Sequence, residues 1–183
     1  MHLTPSELLD RLRGLGIAAD THEHKAVFTV AESRPVKAAL PGAHSKNLFL
    51  KDRKGRFFLV VAQDDTAIDL KRLHEVIGAS GRLSFGSAEL LRETLGVEPG
   101  SVTPFAAAND TAGCVTVVID QNLTRAERVN FHPLVNTMTT SLTPDELLAF
   151  LRSTGHEPRI ATLPSPPAIC ATGPAHPSPE TNV

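Results

Sequence analysis

Ser45-Lys46-Asn47-Leu48-Phe49-Leu50-Lys51-Asp52, then Arg53-Lys54-Gly55, then Arg56-Phe57-Phe58-Leu59-Val60-Val61-Ala62 run consecutively, and their reading decides the fold class. Two runs rich in strand-forming residues flank Asp52-Arg53-Lys54-Gly55, a turn signature, so this segment predicts a hairpin. The second run, Phe57 to Ala62, is wholly apolar, which predicts a strand buried on both faces.

Downstream of the hairpin, Leu70, Leu73, Val76 and Ile77 recur at helical spacing within Asp69–Gly78. Ser87 is placed to cap a helix that runs through Leu95 and stops at Gly96, and Arg82-Leu83-Ser84-Phe85 before it reads as a short strand. Cys114–Asp120 predicts another buried strand, and Val129–Pro133 and Asn136–Leu142 predict two more. Thr143-Pro144-Asp145-Glu146 opens a final helix carrying Leu147, Leu148 and Leu151, with Gly155 as its stop. Upstream, Thr4, Pro5 and Glu7 have capping-box spacing, and Leu8, Leu9, Leu12 and Leu15 follow until Gly14 or Gly16. A short strand is expected around Ile17–Asp20, a β-rich run at Val27–Val30 and a helix start at Thr29. Short strands adjacent in sequence and interleaved with helices fit a mixed α+β sheet better than regular βαβ winding. After Arg159 the character changes: the last 23 residues hold six prolines and one charge, Glu180. We therefore expect one domain over residues 1–160 and a disordered or extended tail over 161–183.

The chain has 183 residues, 41% hydrophobic and 21% charged, with a formal net charge of −2, as befits one soluble domain with a sizeable core. Two cysteines, Cys114 and Cys170, make no disulfide framework. No apolar run approaches the roughly 18 residues of a membrane span, and the N-terminal segment lacks a signal peptide's apolar stretch, so no membrane association and a cytoplasmic location are expected. With no Trp or Tyr and eight Phe, the chain is ill-suited to reading single strands on aromatic platforms. Charge is uneven: Lys25–Arg92 carries 12 Lys+Arg against 7 Asp+Glu, the rest 6 against 13. The densest basic stretch, Lys46, Lys51, Arg53, Lys54 and Arg56, reads equally as a phosphate-attracting patch and as a solvated hairpin edge.

His22-Glu23-His24 puts two imidazoles on one side of an extended segment, but no partner cluster completes a metal site, and no metal is expected. A GxSxG elbow, a Walker A loop and a GxGxxG loop are all missing from the sequence. Lys46 opens a strand and reads either as a cleft cation able to grip a phosphate or ribose oxygen, or as a strand-end lysine in solvent. Gly100-Ser101-Val102-Thr103-Pro104 is a rigid turn whose glycine allows close backbone approach, so that its amides could face an oxyanion; many ordinary loops look the same. His132, between Phe131 and Pro133, reads as a structural half-buried histidine or as a site residue.

Four separated segments, THEHKAVFTVAES, SKNLFLKDRKGRFFLVV, RLSFGSAELLRETLGVEPGSVTPFAAAND and VNFHPLVNTMTTSL, occur in an order that resembles the YbaK/ProX family of aminoacyl-tRNA editing domains. These are free-standing relatives of the insertion domain of bacterial prolyl-tRNA synthetase. The resemblance covers about residues 3–160, and KNLFLKD, GRFFLVV and NFHPL are most similar to the ProX branch, deacylases of alanine-charged proline tRNA. It implies a mixed, strongly curved sheet forming a partly open barrel surrounded by helices. It also implies Lys46, Gly100 and His132 as catalytic residues. Asn47, Ser101, Val102, Thr103 and Pro104 would bind substrate, with Val27, Phe28 and Phe131 as apolar pocket walls. Lys51, Arg53, Lys54 and Arg56 would meet the tRNA. The implied partners are the acceptor end of mischarged tRNA(Pro) and prolyl-tRNA synthetase, with no cofactor. Competing readings are a non-catalytic nucleic-acid-binding module and a deacylase for serine, threonine or cysteine.

Overall fold

The computed structural model describes residues 2–26, 35 and 37–167. Val27, Phe28, the Val27–Val30 run, the helix start at Thr29 and Cys170 lie outside the described residues. The N-terminal helix α1 (Pro5–Gly14) begins as expected: the Thr4 hydroxyl accepts the Glu7 amide while the Glu7 carboxylate accepts the Thr4 amide. Strand β1 (Asp20–Glu23) starts where the expected Ile17–Asp20 strand was to end. Its polar sequence Asp-Thr-His-Glu has no apolar alternation to mark it, because it is held as an edge strand by backbone pairing.

The hairpin is present as β2 (Ala43–Lys51) and β3 (Phe57–Gln63). Then follow α2 (Leu73–Ile77), β4 (Ser84–Phe85), α3 (Ala88–Leu95), a 3-10 turn (Pro104–Asn109), β5 (Val115–Asp120), β6 (Val129–Phe131), β7 (Met138–Leu142), α4 (Pro144–Ser153) and β8 (Arg159–Ala161). Helix α2 is shorter than its periodic pattern, because residues 69–72 form turns before it, and it ends on Gly78 in the left-handed region. Eight strands form one open mixed sheet, ordered β1-β7-β6-β2-β3-β5-β8, with β4 also on β2. The pairs β6/β2, β3/β5 and β5/β8 are parallel and the others antiparallel. The fold class is α+β with a mixed sheet, as the sequence predicts.

Why the Phe57–Ala62 run of β3 lacks polar residues is now visible. Leu59 and Val61 face the main core, which gathers Leu8 and Leu12 of α1, Leu91 and Leu95 of α3, and Leu147, Phe150 and Leu151 of α4. Phe58, Val60 and Ala62 face a second core with Leu73 and Ile77 of α2. Both faces of Phe58–Ala62 are covered, so none of these positions tolerates a charge. In the main core Phe105 meets Phe131 and Phe150 edge-on, with centroids 5.9 and 5.3 Å away. Strand β8 straddles the expected boundary at residue 160, with only Ala161 in the expected tail. Beyond it Leu163 is buried in the second core, and the Pro164 carbonyl accepts the Asp69 amide.

Candidate active site

Strand β2 begins hard against β6. Gly42 has φ +103°, and a Cβ there would meet the Arg128 carbonyl oxygen at 2.6 Å, so only glycine lets the chain turn into the Ala43–Val129 and His44–Asn130 pairing. This seats His44 and Lys46 beside the strand that leads to His132. Lys46 and Asn47 are consecutive in β2 and project to opposite faces. The Lys46 ammonium donates to the carbonyl of Asp64 at 3.0 Å and to that of Thr66. An ammonium has three N–H donors, so one remains beyond these two bonds among the described residues. The Asp64 carboxylate pairs with Lys37, and the Asp64 amide donates to the His44 carbonyl at 2.9 Å.

Asn47 reaches the other way. Its Nδ2 donates to the Val102 carbonyl at 2.8 Å, clamping the residue 98–104 loop to β2 and leaving Oδ1 buried without a partner among the described residues. That loop is held at every joint. Arg92 Nε contacts both Glu98 carboxylate oxygens at 2.8 and 2.9 Å, which keeps the Glu98 carboxyl below its usual range. Ser101 donates its amide to the Glu98 carbonyl, and Gly100 sits at φ +91° with open space where a side chain would be. Thr103 is fully buried as cap of the following 3-10 turn, and Pro104 is that turn's first residue. Phe131, expected on a pocket wall, faces the main core and is 2% exposed.

His132 follows β6. Its Nδ1–H donates to the Met138 carbonyl at 3.1 Å, so in the neutral ring Nε2 carries the free lone pair. Burial pushes its pKa down. The Met138 bond opposes this, while the nearby His24, His44 and Lys37 add to the lowering. The ring is therefore neutral at pH 7. His24 stands 6.4 Å from it, centroid to centroid, with its Nδ1–H on the Lys25 carbonyl and Nε2 accepting from the Thr139 hydroxyl at 2.9 Å. His22 contacts Asp20 at 3.0 Å, so the two histidines of the His-Glu-His segment serve different neighbours. Among the described residues no group of three or more His, Cys, Asp and Glu side chains is placed to hold a metal.

The hairpin tip is a different surface. Asp52, 4% exposed, accepts the amides of Lys54 (2.8 Å), Arg56 (3.0 Å) and Ser80 (2.9 Å), and the Arg56 guanidinium. Burial alone would raise its pKa, but these donors outweigh it and hold the group at about 2. Arg56 is thereby committed to Asp52 and the Gly78 carbonyl, whereas Arg53 and Lys54 are exposed and Lys51 is half-buried. Beside the tip lies a groove of about 1130 Å³ whose lining includes Arg53, Lys71, His74, Arg82 and Phe85. Phe85 is 62% exposed, and Arg53, Lys71 and Arg82 form no ion pair among the described residues. Sequence reasoning missed Lys71, Arg82 and Phe85, which lie 18 or more residues beyond Arg53 and join it only through folding.

Residues 24–150 match the model of the aminoacyl-tRNA editing domain. The chain belongs to the aminoacyl-tRNA editing domain family. Similar members include a prolyl-tRNA synthetase associated domain-containing protein 1 from Danio rerio, 42% identical over 156 residues covering 84% of each chain. The prolyl-tRNA editing protein ProX of Acetoanaerobium sticklandii is 38% identical over 135 residues, 73% of this chain and 82% of that one. The editing-domain fold is shared with a solved structure described as a candidate trans-editing enzyme for prolyl-tRNA synthetase, at TM-score 0.63 and 21% identity, covering 88% of this chain and 99% of that one. The matched segment contains Lys46, the residue 98–104 loop and His132. No helix among the described residues is long and apolar enough to cross a membrane.

Proposed function

We propose that the protein is a trans-acting aminoacyl-tRNA deacylase that hydrolyses the ester of mischarged tRNA, with Ala-tRNA(Pro) as its substrate. The observation that carries this reading is the editing-domain match over residues 24–150, together with 38% identity to a prolyl-tRNA editing protein. The side chains suit it. An aminoacyl ester is already activated, so hydrolysis needs positioning and support of the developing oxyanion more than a strong nucleophile. Lys46, with one N–H beyond its two carbonyl partners, anchors the terminal nucleotide through a phosphate or ribose oxygen. Amides of the clamped loop around Gly100–Thr103 polarise the ester carbonyl, and the neutral His132 orients the attacking water through Nε2. The neighbouring ribose hydroxyl assists the attack.

Arg53, Lys54, Lys71 and Arg82 supply a cationic approach for the acceptor stem. Arg56 contributes by holding the turn rather than by touching RNA. Selectivity for alanine over proline is steric, since a pocket sized for a methyl group excludes the ring by overpacking. The test is incubation of the purified protein with Ala-tRNA(Pro), Pro-tRNA(Pro) and Ala-tRNA(Ala), following the remaining ester. Loss of the first alone is expected. Loss of Pro-tRNA(Pro) at an equal rate would refute the steric account, and no loss from any of them would favour a module that binds without turnover.

A further inference from the structure

We propose that Asp120 is a positioning residue for the reaction: acting through Thr66, it shapes the loop of residues 63–66 that presents the Lys46 ammonium. The inference rests on the role of Lys46 proposed above. Asp120 ends β5, in register just past the Val61–Ile119 pair, and is 1% exposed. Every other residue of β5 except Thr116 is an apolar core residue, so a carboxylate here is costly for the fold and needs a reason. It forms no ion pair among the described residues.

Its oxygens instead accept neutral donors, and two of the three come from the loop. The Thr66 hydroxyl donates at 2.8 Å and the Gln63 amide at 3.4 Å, while the Asn122 amide donates at 3.1 Å. The Thr66 amide also closes the turn onto the Gln63 carbonyl at 3.1 Å. Once Thr66 is pinned by its hydroxyl, its carbonyl and that of Asp64 are aimed at Lys46. The buried carboxylate and the ammonium thus meet opposite ends of one residue. The two sets of hydrogen bonds act in the same direction, holding the lysine's remaining donor in place. Lys37 on the Asp64 carboxylate braces the loop from its other side.

Thr66→Val and Thr66→Ser separate this role from mere structure, since Thr66 is only half-buried and both variants should fold. We would measure deacylation of Ala-tRNA(Pro), affinity for uncharged tRNA(Pro) and Tm, for these two variants, Lys46→Ala, and the Lys46→Ala/Thr66→Val double variant. Thr66→Val should lower kcat/KM about tenfold, as expected for one lost positioning hydrogen bond, with a Tm only a few degrees lower and the chain still folded. Thr66→Ser should restore it, and Thr66→Val should weaken tRNA binding no further once Lys46 is gone. Wild-type activity in Thr66→Val alongside an inactive Lys46→Ala would overturn the positioning role and leave the lysine's role standing. An equal loss of affinity in both backgrounds would overturn it too, by making Thr66 independent of Lys46. Full activity in Lys46→Ala would overturn both readings.

Discussion

The two ends of strand β2 are built by opposite means. At the hairpin tip, Asp52 collects donors from Lys54 and Arg56, two and four residues away, with Ser80 as its distant partner. At the other end, Lys46 leans on residues 64 and 66, Thr66 on Asp120, Asn47 on Val102, and His132 stands near His24. The tip closes mainly on itself, while the Lys46 end is an assembly of segments far apart in sequence. A self-contained turn can be held by a single saturated carboxylate and leave neighbouring cations free for a polyanion. The residues proposed for the site draw on six stretches of chain, and each contact depends on the fold being complete.

That contrast can be broken most forcefully at the tip. Asp52→Ala removes the shared acceptor of three amides and a guanidinium at once and should cost about 3 kcal/mol, or about 6–12 °C in Tm for a domain of this size. Thermal unfolding checks this, and a shift below about 2 °C would show that the tip is not held as described. Next, pH should separate the two ends. His132 has a folded pKa below its unfolded value near 6.5, so the unfolded chain binds the extra proton first. Its contribution to stability is complete above 6.5 and declines as pH falls through the lowered folded value. The acid limb of kcat/KM should therefore lie below pH 6.5 and vanish in His132→Gln, and a limb above 6.5 would contradict the burial argument. Asp52 titrates lower still: its stabilisation is present above the ordinary carboxylate range and is lost as pH falls toward about 2. Denaturant midpoints should accordingly drop between about pH 4 and 2 in the wild type and less so in Asp52→Asn. The smallest effect is the exposed charge. Arg53→Ala with Lys54→Ala should weaken tRNA binding several-fold at low salt and reduce the slope of log affinity against log salt by about 1–2, with single-turnover rates at saturating protein unchanged.

Legibility followed the same divide. The Thr4–Glu7 and Thr143–Glu146 capping boxes, the Ser87 cap, the Gly96 stop and the hairpin all rest on contacts within a few residues, and each was readable from the sequence. The wholly apolar Phe57–Ala62 run also announced its double burial, because burial on both faces leaves a compositional trace. Strand β8 left none, since Arg159-Ile160-Ala161 is short and is placed only by parallel pairing to β5. Strand β1 was placed three residues early because a polar edge strand has no period of its own. At the site, family resemblance marked Lys46, Gly100 and His132, but nothing local couples Asp120 to Thr66, 54 residues apart. Arg56 was read as an RNA contact from its charge. The fold adds that its guanidinium also holds Asp52 and the Gly78 carbonyl.

We propose that the Lys46 end acts on an aminoacyl ester while the hairpin tip only receives RNA. Single-turnover deacylation of Ala-tRNA(Pro), with protein saturating, by the wild type, Lys46→Ala and Arg53→Ala/Lys54→Ala tests it most directly. We predict a wild-type rate well above spontaneous hydrolysis, a fall of at least about 100-fold in Lys46→Ala, roughly the loss of a charged anchor, and a wild-type rate in the tip variant. Undiminished hydrolysis by Lys46→Ala, or its loss in the tip variant alone, would contradict the account.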